Sequence, residues 1–166
     1  MSLPSSDANA PPPPALELAE FLPYRTARLA AQLSRGLAAC YQAEFDISIV
    51  EWRILIHLAS APHISVRDIA IRVDLDRVQV TRAVQRLTVR QLVTKIANPE
   101  DRRLVRLALT DSGRELADKI AVLALAYEAT AFAGLSAAQR QTLFDLLDQV
   151  EGNLAGTPYS NRKNHP

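Results

Sequence analysis

Four times in this chain a Ser or Asp stands three residues ahead of a Glu, Asp or Gln and opens an apolar run with a helical period. The four are Ser48-Ile-Val-Glu51, Ser65-Val-Arg-Asp68, Asp76-Arg-Val-Gln79 and Ser136-Ala-Ala-Gln139. A short polar side chain there accepts from the backbone N–H three residues on, and the acidic or amide side chain can answer it. Each box therefore marks a helix start, and the chain is confined to a mostly helical fold with known entry points. Upstream, Leu29, Leu33, Leu37, Tyr41 and Phe45 recur every four residues after Pro23. That spacing predicts a long first helix with one buried stripe. Val80, Ala83, Val84 and Leu87 share one face of the helix opened at Asp76.

Between the third and fourth boxes the period changes. Leu92 to Ile96 reads as a strand, Asn98-Pro-Glu-Asp101 as a turn, and 104–109 as a returning strand with charges at the tip. Thr110-Asp111 then caps a long helix running to about Phe132. A final helix carries Leu143, Leu146, Leu147, Val150 and Leu154. The order is helix, helix, short helix, helix, hairpin, two long helices. The short helix at 65–73 and the helix at 76–90 form a helix-turn-helix, whose second member can enter a major groove, with the hairpin as a wing. The predicted fold class is mainly α with a small β-hairpin wing.

Charge supports that placement. The net charge is only +1 over 166 residues, yet 67–106 holds ten basic and five acidic residues, so the middle is basic and its flanks acidic. Such segregation reads as a local site for a polyanion. Sixteen of the nineteen cations are arginine, whose planar fork suits phosphate and guanine. With its apolar face buried, the fourth helix presents Arg77, Gln79, Thr81, Arg82, Gln85 and Arg86, with Val78 early on the helix placed to meet a thymine methyl. Arg67 is assigned to phosphate.

Other classes fall away. One cysteine forbids an intrachain disulfide. The longest apolar run is eight residues, far short of a membrane span. The Pro-rich start has neither the basic end nor the apolar core of a signal peptide, so a cytoplasmic location and no membrane partner are expected. No G-x-S-x-G, P-loop, H-E-x-x-H or C-x-x-C occurs, so neither an enzyme nor a cofactor is expected. His57 and His63 give no convincing metal spacing.

The chain resembles the MarR family of winged-helix transcriptional regulators. The matching residues are Glu51-Trp-Arg-Ile-Leu, Ile69-Ala70, Val80-Thr-Arg-Ala-Val84 with Arg86-Leu87, Asp101-Arg102-Arg103 and Leu109-Thr-Asp-Ser-Gly113, over roughly 21–154. The resemblance implies a winged helix-turn-helix at 46–110 and helical dimerisation arms at 21–45 and 111–154, between tails at 1–20, expected to be disordered, and 155–166. It implies a homodimer on a near-palindromic operator in double-stranded DNA, with half-sites about 10 bp apart, acting as a repressor. It implies that Asp101 braces Arg103, which reaches the minor groove, with Arg102 as the alternative inserted residue. It also implies a small aromatic or phenolic acid effector, for which Tyr24, Arg28, Trp52, Arg53, His57 and His63 are candidates. Taken singly, the same residues read first as packing and ion-pair partners.

One departure is visible. The family usually has glycine where this chain reads Gln91, so the fourth helix must end differently or bear strain. Cys40 is expected to be a buried structural thiol, a peroxide switch being the alternative. A winged-helix dimer that binds ligand or protein without reading DNA is the reading from another class.

Overall fold

The computed structural model describes residues 16–97 and 105–155. Its elements are α1 (Leu22–Phe45), α2 (Ile49–Ser60), β1 (Ile64–Ser65), α3 (Val66–Arg72), α4 (Arg77–Val89), β2 (Val93–Ala97), β3 (Val105–Leu109), α5 (Asp111–Ala131) and α6 (Ala137–Ala155). None of the described helices is long and apolar enough to cross a membrane. The wing tip, with Asp101, Arg102 and Arg103, lies outside the described residues, as do the two ends of the chain.

The four boxes all start helices, but not identically. Ser48 and Glu51 make the full reciprocal box: the Glu51 N–H donates to Ser48 Oγ and the Ser48 N–H donates to Glu51 Oε2. Ser136 and Gln139 do the same ahead of α6. In the Ser65 box the acid is Asp68, one methylene shorter, and its carboxylate accepts from the Ser65 hydroxyl at 2.8 Å. Asp76 accepts from the Val78 and Gln79 N–H groups. Each arrangement satisfies donors that the first helical turn leaves open.

Two compact units follow one another along the chain, dividing within α5 after Leu123. In the first, α4 packs on both α2 and α3. Val80, Ala83, Val84 and Leu87 are buried, as the periodicity predicts, among Ile54, Leu55, Leu58, Ile69 and Leu107. Burying each of these valine, leucine or isoleucine side chains contributes about 1.5–3 kcal/mol, and the single methyl of Ala83 less. The inner ends of α1 and α5 belong to this core through Ala38, Tyr41, Ala117 and Ile120.

The stripe on α1 is therefore buried only toward its C-terminus; Leu29 is 52% exposed in the single chain. Cys40 is exposed as well, contrary to the expected buried thiol. Ala38 and Tyr41 take the inward positions. Cys40, one residue and about 100° before Tyr41, turns outward, its Sγ 3.4 Å from the Gly36 carbonyl.

The hairpin is part of a three-stranded antiparallel sheet of order β1-β3-β2. The register aligns Val93 with Leu109 and Ala97 with Val105, and β1 adds Ile64 opposite Leu107. A two-residue strand carries no period that a sequence can reveal.

Gln91 resolves its alternative in favour of strain. It adopts φ 58°, the left-handed conformation usually left to glycine. The Gln91 N–H donates to the Thr88 carbonyl and the Leu92 N–H to the Leu87 carbonyl, which is the Schellman ending of a helix. Replacing Gln91 by glycine is expected to stabilise the fold by about 0.5–1 kcal/mol, because the left-handed penalty on a side-chain residue exceeds glycine's extra chain entropy. Thermal melts of Gln91→Gly and wild type at one protein concentration check this; an unchanged or lower Tm would contradict it.

The second unit contains the end of α5, a turn through Gly134 and α6. Arg140 braces it, donating to the Phe132 carbonyl, lying 6.0 Å from the Phe132 ring and pairing loosely with Glu128 at 3.8 Å.

Candidate nucleic-acid interface

Helix α4 has one wholly buried side, so its other side is fixed toward solvent. Arg77, Val78, Gln79, Arg82, Gln85 and Arg86 are exposed and Thr81 is half-buried. All seven α4 residues expected to face DNA therefore stand off the core. Val78 is 55% exposed, an apolar surface at the start of the helix. The Thr81 hydroxyl is engaged by its own helix, donating to the Arg77 carbonyl at 2.7 Å. Arg67 is exposed on α3.

The far end of α4 is tied down by two arginines one turn apart. Arg90 spreads its fork across the end of α1, donating from Nη1 to the Asp46 carbonyl at 2.6 Å and from Nη2 to the Phe45 carbonyl at 2.8 Å. A helix C-terminus leaves carbonyls unpaired and carries partial negative charge, so a guanidinium fits there on both counts. Arg86 donates from Nε to Glu51 Oε1 at 2.9 Å. Glu51 is buried, and burial alone would raise its pKa. The hydrogen bonds from Ser48 and Arg86, with the charge of Arg86, outweigh that and hold it below the ordinary carboxylate value.

These groups surround an open cleft of about 720 Å³, lined by Gln42, Ser48, Glu51, Arg82, Arg86 and Arg90 among others. Glu51 and Arg90 were not among the sequence candidates. Glu51 had a sufficient local reason in its capping box, and its partner lies 35 residues away. No sequence signal marks that pairing.

The candidate effector residues are only partly assembled. Trp52, Arg53 and His57 lie half-buried on α2. Trp52 packs its ring 5.8 Å from that of Tyr41, which sequence reasoning assigned to the stripe alone. The Tyr41 hydroxyl is buried without a partner among the described residues, and burial pushes its pKa up to about 12 against the opposing charge of Arg53. His57 is held below its ordinary pKa by burial and by the charges of Arg72 and Arg53. Tyr24 and Arg28 lie exposed near the start of α1. Tyr24 is seventeen residues from Tyr41, roughly 25 Å along a helix, so one chain does not bring them to Trp52. His63, at φ 67°, is exposed beyond α2 and spends its N–H on the Leu107 carbonyl.

Comparison with known proteins gives this geometry its context. The MarR family profile matches residues 45–104, from the end of α1 to the wing. The chain is 33% identical over 78 residues to the uncharacterised HTH-type transcriptional regulator YhbI of Bacillus subtilis, a stretch covering 47% of this chain and 51% of that one. It is 30% identical over 122 residues to the uncharacterised HTH-type transcriptional regulator YdgJ of the same organism, covering 74% of each. Among solved structures, the PcaV transcriptional regulator of Streptomyces coelicolor, in complex with its natural ligand, superposes with a TM-score of 0.72 at 26% identity, covering 84% of this chain and 97% of that one. With the exposed basic helix, the three-stranded winged sheet and the extended match to YdgJ, the chain belongs to the MarR family of winged-helix transcriptional regulators.

Proposed function

We propose that the protein is a homodimeric, operator-specific repressor whose grip on DNA is released by a small aromatic acid. The observation that carries the reading is α4: four buried residues on one side and the Arg77, Gln79, Arg82 and Gln85 face on the other. Arginine bridges guanine O6 and N7, and glutamine pairs with adenine, so this face can read base edges from a major groove. Arg67 takes a phosphate. Arg103, braced by Asp101, takes the minor groove beside it, and Arg102 is its alternative.

The homodimer is supported by apolar surface that one chain leaves uncovered. Helix α6 has no buried residue, and Phe144, Leu146, Leu147, Val150 and Leu154 are all exposed on it. Single exposed apolar residues are ordinary, but a contiguous apolar face marks an interface. Two-fold symmetry then calls for a near-palindromic operator.

The effector reading is supported by the natural ligand of PcaV and by the group around Tyr41. An aromatic acid stacked near Trp52 would meet the charge of Arg53, the His57 imidazole and the Tyr41 hydroxyl, which has no partner among the described residues. Tyr24 and Arg28 join such a site only from a second chain. The ligand acts by favouring a spacing of the two winged units that no longer fits successive major grooves, which requires different affinities for the two states.

Fluorescence anisotropy with DNA from upstream of the protein's own coding sequence, against a scrambled duplex at two salt concentrations, tests the reading. A preference of about 10³ or more for the operator is expected. Arg82→Ala is expected to weaken operator binding by about tenfold or more, the loss of one base-reading fork. Arg82→Ala binding as wild type would remove the assigned face. Equal weak binding of both duplexes would favour a ligand- or protein-binding module.

A further inference from the structure

Arg86 on α4 and Arg90 at its C-terminal cap look equivalent in sequence, one turn apart and both bordering the same cleft. The structure separates them. Arg90 spends both terminal nitrogens on the carbonyls of Phe45 and Asp46. Among the described residues Arg86 is held only through Nε, at 2.9 Å from Glu51, and its side chain remains 57% exposed. Its two terminal nitrogens carry the remaining four donors of the guanidinium, and these form the fork that matches guanine or phosphate.

The acceptor is itself immobilised. Glu51 is 4% exposed, and its other oxygen accepts from the Ser48 N–H at 2.8 Å and the Ser48 hydroxyl at 2.6 Å. The reciprocal cap on α2 needs only that second oxygen, so the bond to Arg86 is additional to it. A buried carboxylate locked at one oxygen thus fixes the last bonds of an exposed arginine on the face that carries Arg82 and Gln85. An unheld arginine would lose rotamer freedom on docking, and a pre-aimed one loses less.

We propose that Glu51 is a specificity-determining positioning residue: its Ser48-locked carboxylate aims the Arg86 fork at one place on the operator, where Arg86 reads the DNA. The proposal rests on the reading that α4 docks on specific DNA.

The experiment compares wild type, Glu51→Gln, Glu51→Asp, Arg86→Ala and the Glu51→Gln/Arg86→Ala double variant, each titrated with operator and with scrambled duplex. In Glu51→Gln the operator-to-scrambled affinity ratio is expected to fall about tenfold. Scrambled DNA is bound at least as tightly as by wild type, because a negative charge beside the DNA face is gone. A purely structural lesion would weaken both. Glu51→Asp keeps the charge and a cap of the kind Ser65 and Asp68 form in this same chain, with a side-chain bond of 2.8 Å and a backbone bond of 3.1 Å. Its carboxylate is one methylene too short for Arg86. Its ratio is expected to fall similarly with scrambled affinity unchanged. The double variant is expected to discriminate no worse than Arg86→Ala, since the two residues act as one unit. Wild-type ratios in both Glu51 variants, or losses that add in full to that of Arg86→Ala, would overturn the proposal while leaving operator binding standing. A wild type with no operator preference would remove both.

Discussion

Replacing Gly113 by alanine is expected to destabilise the winged unit by about 3 kcal/mol, seen as a Tm lower by roughly 6–12 °C. Gly113 lies in the first turn of α5, against the end of α4. A Cβ built there would sit 1.9 Å from the Leu92 carbonyl oxygen and 2.9 Å from its carbon. Both are backbone atoms, so no side chain can swing aside. Nor is the backbone free to withdraw. The Thr110 N–H donates to that same Leu92 oxygen at 3.1 Å, and the Thr110 hydroxyl donates to the Gln91 carbonyl at 2.6 Å. The Gly113 N–H in turn donates to the Thr110 hydroxyl oxygen at 3.0 Å. Residues 91 and 92 also close the Schellman ending of α4, so a displacement there would disturb α4 and β2 together. Gly152 is the matched control. An added Cβ meets nothing within 4 Å there, and the same substitution within α6 is expected to be neutral or slightly stabilising. Thermal or urea unfolding of the two variants decides it. A Gly113→Ala protein that melts with wild type would show that α5 does not dock this closely.

Replacing Leu147 by glutamate is expected to give a monomer that binds operator at least about 100-fold more weakly. Leu147 is 46% exposed in the single chain and stands with Leu143, Val150 and Leu154 at helical spacing along α6. A carboxylate buried in an apolar interface without a partner is disfavoured far beyond the loss of one leucine contact. The DNA effect follows from linkage of the two winged units. In a dimer the second half-site is engaged at high effective concentration, and this linkage is worth about 10²–10⁴ in affinity. Binding to scrambled DNA, one unit at a time, falls much less. Sedimentation or light scattering reads the assembly and anisotropy reads the affinity. A Leu147→Glu protein that stays dimeric would move the interface off this face. A monomer with wild-type operator affinity would break the link between dimer and operator.

Helix starts and the buried face of α4 were legible because they rest on local bonds. Ser48, Asp76 and Ser136 act on groups two or three residues away, and Val80, Ala83, Val84 and Leu87 obey one helical period. The face opposite them followed by subtraction, which is how Arg77, Gln79, Arg82 and Gln85 could be named. Inferences of burial from one stripe were weaker. The α1 stripe was read as continuous, yet only its inner end meets the core in a single chain, and Cys40 emerges on the surface.

Local chemistry, carried in the order of residues, was enough to settle the six helices, the hairpin and the basic face of α4, though not β1. Pairings between distant segments were left to the tertiary structure, because their partners have no fixed spacing along the chain. β1 exists only where β3 offers it a ladder. Gln91 is held in a left-handed turn by Thr110, nineteen residues on. Glu51 reads as a helix cap from its neighbours and becomes a buried anchor for Arg86 only when α2 and α4 pack together. A carboxylate can be locked in that way once surrounding side chains have removed its water, and that removal is a property of the packed core.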